Sequence, residues 1–363
     1  MNPSGSIGSA AHAEPTRESG AMSGVAARPV DVRHELVVPE AQASAELAAD
    51  AEARSAPTLV TTGFVRLPPG RRYVWVPTAD RDAALAGLSL YAPSRRRALL
   101  AHRMLWAAVR ALGPVVLPGR RHEWHPPMDV ATWSGLLLAW RDQLGEFDAF
   151  AVYERPQASR NGIALLLLRG GRRIAFVKVR SAPDSLVKER LILDALAERP
   201  HTTFRAARVV AAGAVDKWHW LAMTPLEPAA LRAGVSVPCA AINREVAELL
   251  GDRLPKPAGT PDHWQPAHGD LVPWNVRLNA DGIWLLDWED AGWAPPGADE
   301  AYYDAVRNVV YGSRLGSVSS ETAAFWSERI AQRSPTDYDH WFNQQLAALF
   351  ASLAGRNDVR ENT

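Results

Sequence analysis

His268-Gly269-Asp270-Leu271-Val272-Pro273-Trp274-Asn275, followed twelve residues after its asparagine by Asp287-Trp288-Glu289, is the stretch that decides how this chain folds. Between the two runs stand a turn, Asn279-Ala280-Asp281-Gly282, and an apolar strand, Ile283-Trp284-Leu285-Leu286. The turn folds the chain back on itself, so the loop holding Asp270 and the loop holding Asp287 become neighbours across a strand pair. Transfer of a phosphoryl group needs one carboxylate beside the accepting hydroxyl and hard oxygen ligands for a magnesium ion. An aspartate with an asparagine five residues on, and a second aspartate ending the next strand, supply those groups. An Asp-Gly turn with a polar asparagine is also ordinary turn chemistry. The histidine, the Asp-to-Asn spacing and the strand-borne Asp-Trp-Glu together argue against that plainer reading.

Working outward toward the amino terminus, the pattern is of strands. Phe147 to Tyr153, Ile163 to Leu168 and Ile174 to Val179 read as three strands, the last two joined by a turn at Arg169-Gly170-Gly171-Arg172. A helix follows from Asp184 to Glu198, then strands near Val209-Val210 and from Trp218 to Met223. Lys178 falls on the third strand and Glu189 in the helix after it. Only four of the 40 Lys and Arg residues are lysines, which makes each lysine more informative than usual. Beyond Pro225 the pattern is mainly helical, apart from His268 to Asp299.

The runs HGDLVPWN and LLDWED resemble the aminoglycoside phosphotransferase and choline kinase family, whose members have a protein-kinase-like fold. The resemblance implies an α+β, two-lobed molecule with a small antiparallel-sheet N-lobe and a mainly helical C-lobe. It implies Asp270 as the catalytic base, Asn275 and Asp287 as magnesium ligands, and His268 as a brace of the catalytic loop. Lys178 would meet the phosphates of ATP and pair with Glu189. Ser159, in the loop after the first strand, would hold phosphate, and the backbone at Met223 would contact adenine. Asp299 resembles the aspartate that anchors the loop. The weak element is the loop from Glu154 to Gly162, which carries a single glycine, and neither GxGxxG nor GxxxxGK[ST] occurs in the chain.

The expected organisation is a disordered tail over 1–57, an accessory hairpin-and-helix module over 58–145, an N-lobe over 146–226 and a C-lobe over 227–363. The tail is rich in Ala, Ser, Glu, Gly and Pro and poor in aromatics. In the accessory module, Phe64 to Leu67 and Tyr73 to Val76 read as a hairpin. Asp80 caps a helix running to Leu90, a second helix runs from Pro93 to Gly113, and a third from Val130 to Leu144.

Composition narrows the function. Lys+Arg and Asp+Glu each total 40, so the formal net charge is zero and nothing points to nucleic acid as the partner. The single cysteine, Cys239, excludes an internal disulfide framework and fits a cytoplasmic setting. No apolar run is long enough to span a membrane, although the arginine clusters leave room for peripheral contact. The activity that the resemblance implies is ATP- and Mg2+-dependent phosphorylation of a hydroxyl on a small molecule. The alternative is a catalytically weak, kinase-like nucleotide-binding module with a regulatory role.

The link from Asp287 to Asp299 is too short for a peptide-binding activation segment, which favours a small acceptor. Acids and bases nearly balance between Ala301 and Leu346, which speaks against a site for polycationic aminoglycosides. Trp274, Trp288, Trp293, Tyr302 and Tyr303 gather near the motif, suited to a cationic amino alcohol or to stacking on a sugar, and a sugar or other polyol is favoured. Oligomeric state cannot be read from these features.

Overall fold

Apart from 69–73, 92, 94–95, 155–161, 227–230, 233–236 and 334–339, the computed structural model describes residues 63–361. The tail over 1–57, the tip of the first hairpin and Ser159 with its loop lie outside the described residues. All described residues belong to the compact unit Ala56–Thr363.

Nearly continuous apolar residues, buried on both faces, close the first hairpin, β1 (Phe64–Leu67) with β2 (Val74–Pro77). Helix α1 (Arg81–Leu88) begins where expected, with the Asp80 carboxylate accepting from the Ala83 amide at 2.8 Å. Helices α2 (Arg96–Leu112) and α3 (Val130–Leu144) follow, the latter capped by Asp129 and ended by Gly145 at φ 82°. Then come β3 (Ala149–Glu154), β4 (Ile163–Arg169), β5 (Arg172–Arg180) and helix α4 (Asp184–Glu198), and after a short β6 (Arg205–Ala206) the strands β7 (Val209–Val215) and β8 (Trp218–Met223). Strand β7 runs beyond the two valines that signal it. Its sequence after Val210 is Ala-Ala-Gly-Ala, which carries no strand pattern but leaves space for a neighbour. A Cβ on Gly213 would stand 2.9 Å from the ring of Trp220.

These strands form one antiparallel sheet in the order β1-β2-β3-β4-β5-β8-β7. The first hairpin thus continues the N-lobe sheet, with Val74 opposite Tyr153. One face is covered by α3, whose Leu136, Leu137 and Trp140 pack with Phe150, Leu165 and Trp220. The described residues between 63 and 145 therefore share a core with the lobe that follows. The other face carries α1 and α2 toward β1 and β2, and α4 toward β5 and β8. A directly paired row, Tyr153, Ala164, Lys178 and Leu221, crosses that second face. Paired residues point to the same side of a sheet, so Lys178 looks where Leu221 looks, toward the second lobe.

The second lobe is helical, as read from the sequence. After β9 (Leu231–Arg232) it comprises α5 (Cys239–Leu250), the short strands β10 (Gln265–Ala267), β11 (Val276–Asn279), β12 (Gly282–Leu285) and β13 (Gly292–Ala294), then α6 (Ala298–Tyr311), α7 (Ser320–Ala331) and α8 (His340–Glu361). Two clusters build it. One joins α4 and α5 to Leu271, Val276, Leu285 and Trp288, and the other packs α6, α7 and α8 around Tyr302, Trp326 and Phe350. A small antiparallel-sheet lobe above a mainly helical one is the two-lobed, protein-kinase-like architecture.

Candidate active site

Two loops make the site, and each is closed by the other's strands. Strand β10 leads into the loop 268–275 and pairs with β13, which leads out of the loop 286–291. Strand β11 leads out of the first loop and pairs with β12, which leads into the second. The Leu286 amide continues that ladder by donating to the Asn275 carbonyl at 2.9 Å. The turn at 279–282 thus brings Asn275 beside the residue preceding Asp287.

His268 is fully buried and joins both loops. Its Nδ1 accepts from the Asp270 amide at 3.3 Å, which puts the ring proton on Nε2, where it donates to the Leu286 carbonyl at 3.1 Å. Burial pushes its pKa below the ordinary 6.5 and keeps the ring neutral, against the pull of Asp299. Asp299, in the first turn of α6, accepts from the amides of His268 at 2.6 Å and Gly269 at 3.0 Å. Its carboxyl is raised above 3.8 by burial, opposed by His268 and by those amides.

Gly269 has φ 75°, and a Cβ there would run into the Asp290 carbonyl oxygen and lie 2.8 Å from its carbon. No other residue lets the loops approach so closely. Arg329, at the end of α7, donates to the same Asp290 oxygen at 2.8 Å and fastens the contact to the helical core.

Asp270 is half-buried, and the Asn275 side-chain amide donates to its carboxylate at 2.9 Å and to its carbonyl at 3.0 Å. Asn275 Oδ1 is the acceptor that this arrangement leaves to the asparagine. From the other lobe Lys178 reaches across: its Nζ lies 2.7 Å from both oxygens of Glu189 and 2.6 Å from Asp287 Oδ1. The lysine and Glu189 are buried. Glu189 also accepts from the Trp288 amide at 3.3 Å, and its pKa is raised by burial, with Lys178 opposing. Asp287 has φ 68° and ψ 66°, a left-handed backbone that aspartate tolerates better than most residues.

Several residues here were not singled out by the sequence reading. Glu289, which the sequence reading gives only as the end of Asp287-Trp288-Glu289, is buried and stands 3.9 Å from Arg180 Nη2. One carboxylate oxygen each from Glu189, Asp287 and Glu289 lie within 4.8 Å of one another. Arg333, following α7, donates to the Tyr302 hydroxyl at 2.8 Å and to Asn343 at 3.0 Å, within electrostatic reach of Asp270. Arg277 donates to the Trp274 carbonyl, and burial pushes its pKa down to about 10. Only the scarcity of charge inside apolar runs hinted at such residues, and that signal does not say which charges turn inward.

The Met223 side chain is core, so what that position can offer a ligand is backbone. Trp288, Tyr302 and Tyr303 are also fully buried, which removes three of the five aromatics read as a cage or stacking surface. Trp274 packs on Phe342, and Trp293 receives Lys256 Nζ at 5.2 Å over its ring.

Residues 238–303, from α5 through both loops into α6, match the model of the APH phosphotransferase enzyme family. No curated protein matches the chain. Among solved structures it is similar to a thermostable mutant of aminoglycoside phosphotransferase APH(4)-Ia in ternary complex with ADP and hygromycin B, at 13% identity and TM-score 0.40, covering 61% of this chain and 92% of that one. A protein assigned as a fructosamine-3-kinase from Haemophilus somnus matches at 12% identity and TM-score 0.41, covering 62% and 97%. The PknI kinase domain of Mycobacterium tuberculosis matches at 15% identity and TM-score 0.28, covering 58% and 98%. The matched segment holds Asp270, Asn275, Asp287 and Asp299, while Lys178 and Glu189 reach it from the preceding lobe.

Proposed function

We propose that the chain is an ATP- and magnesium-dependent phosphotransferase acting on a hydroxyl of a small molecule, a sugar or other polyol being favoured. The observation that carries this reading is the meeting of Lys178, Glu189 and Asp287 across the lobes, beside a loop in which Asn275 orients the Asp270 carboxylate.

Asp270 takes the proton of the acceptor hydroxyl as that oxygen bonds to the γ-phosphorus and the bond to the bridging oxygen of ADP breaks. Lys178 balances phosphate charge, and Glu189 holds it in place. Hard, closely grouped oxygen donors suit magnesium, so Asp287 and Asn275 Oδ1 would hold the ion, with Glu289 beside them. Bound there, the ion supplies further neutralisation of phosphate charge. Ser159 and the Met223 backbone are proposed for phosphate and adenine.

A small acceptor is favoured because residues 288–298 are consumed by a 3-10 turn, strand β13 and the start of α6, which leaves no segment on which a peptide would lie. With ATP as donor, the site of action is cytoplasmic.

The test is magnesium-dependent ADP release by wild type and Asp270→Ala, against sugars, amino alcohols and aminoglycosides. Release that needs one acceptor and vanishes in Asp270→Ala is the expected result. Tight Mg-ATP binding with no turnover on any acceptor would point to the regulatory module. Absence of nucleotide binding would overturn the proposal.

A further inference from the structure

Helix α2 packs by one face only. Leu105, Trp106 and Val109 turn inward against Val65, Leu67, Val74 and Val76. The opposite face holds Leu100 at 62% exposure and Met104 at 66%, one turn apart; Leu112, exposed at the helix end, continues the face of Leu105 and Val109, and Val115 is exposed in the 3-10 turn beyond. Helical spacing puts Ala107 and Ala111 in line with Leu100 and Met104, so the outward stripe is apolar along the helix. Arg103 and Arg110, seven residues apart and both exposed, lie along one flank, and exposed Arg97 lies on the other. Arg120 and Arg121, also exposed, follow the turn. From residue 93 to residue 122 the chain has seven arginines and no Asp or Glu, although acids and bases balance over its whole length.

We infer that this face docks on an anionic phospholipid surface. Leu100 and Met104 would enter the acyl boundary while the flanking guanidinium groups pair with headgroup phosphates, with the helix lying in the plane of the interface. No described helix is long and apolar enough to cross a membrane, so the contact is peripheral. Charge sets this occupant apart from others. A second copy would bring the arginine rows together, and the carboxylates near this face, Asp80 and Asp82, stand only at its far end beside Ala111 and Leu112. A nucleic acid would satisfy the arginines and leave the bulky apolar stripe unmatched. The exposed apolar groups also continue past the helix to Val115, which suits a broad deformable surface better than the seam of one partner helix.

The test is flotation of the full chain with vesicles of phosphatidylcholine alone, or mixed with phosphatidylglycerol. Wild type floats with the mixed vesicles and not with the neutral ones, and added salt weakens the binding by screening. Arg103→Gln and Arg110→Gln each lower the partition coefficient about fivefold. The double variant Leu100→Ser/Met104→Ser loses flotation while keeping the wild-type melting temperature, since both side chains are exposed. Equal recovery of wild type with both vesicle types, or flotation unchanged in these variants, overturns the proposal. So does a concentration-dependent dimer, abolished by the double variant, in a chain that does not float.

Discussion

Gly269→Ala should damage the protein far beyond the ordinary cost of losing a glycine. Two effects add. A residue with a side chain at φ 75° costs about 1–2 kcal/mol in the left-handed region. The new Cβ also overlaps the Asp290 carbonyl, which has to move. That carbonyl accepts from Arg329 at 2.8 Å, and giving up a hydrogen bond to a charged donor costs about 1.5–3 kcal/mol. The sum is about 2.5–5 kcal/mol, which corresponds to a fall of roughly 4–8 °C in melting temperature for a unit of this size.

Gly170→Ala is the internal control, because Gly170 has φ 54° with nothing within 4 Å of its would-be Cβ. It should show the left-handed cost alone. Thermal and urea unfolding of both variants, with ADP release measured alongside, separates backbone strain from loop contact. If the two variants melt within a degree of each other and Gly269→Ala keeps full turnover, the close approach of the loops has no energetic weight and the reasoning fails.

Three further outcomes are expected. Lys178→Met strands Glu189 as a buried, unpaired carboxylate and should cost about 3–5 kcal/mol by urea unfolding. Adding Glu189→Gln should recover most of that stability but none of the ADP release, lowered at least about a hundredfold. His268 is held below its ordinary 6.5, so between that value and its folded pKa the unfolded chain binds a proton that the folded chain refuses. Its penalty is absent above pH 6.5 and grows as pH falls, so the stability difference between wild type and His268→Gln should shift against wild type as pH is lowered below 6.5; a pH-independent difference would contradict the neutral ring. Asp299→Asn replaces one acceptor oxygen with a donor, leaving the His268 or Gly269 amide unmatched, and urea unfolding should register about 1–3 kcal/mol, with faster hydrogen exchange at Gly269.

What the sequence disclosed and what it withheld divide along a physical line. Asp270, Asn275, Asp287 and Asp299 were legible because their spacing is fixed by a turn and two short strand pairs, all within 32 residues. Lys178 and Glu189 were legible by order, on a strand and on the helix after it. Glu289 was not, because a charge two residues past Asp287 reads as solvated until Arg180, more than a hundred residues earlier, is seen to face it. Arg329 was hidden for the same reason, since its partner is a backbone carbonyl 39 residues away. The hairpin Phe64–Pro77 was legible as a hairpin, whereas its seat beside β3 depends on an edge pairing of Val74 and Trp75 with Tyr153 and Val152 that no local pattern specifies.

The arrangement around Lys178 shows why these pieces have to come from both lobes. Its ammonium is shared between Glu189, on the N-lobe helix, and Asp287, on the C-lobe loop, while the amide of Trp288 returns a hydrogen bond to Glu189. The left-handed backbone at Asp287 is unfavourable by itself, and the ion pair it makes offsets that cost. Lys178 therefore fixes the position of Asp287. Asp287 in turn stands one residue beyond Leu286, whose amide and carbonyl hold Asn275 and His268. Displacing the lysine would loosen Asp287 first and, through Leu286, the loop that orients Asp270. The ion pair between the lobes and the Asp270 carboxylate thus belong to one mechanical unit, joined through a single backbone residue.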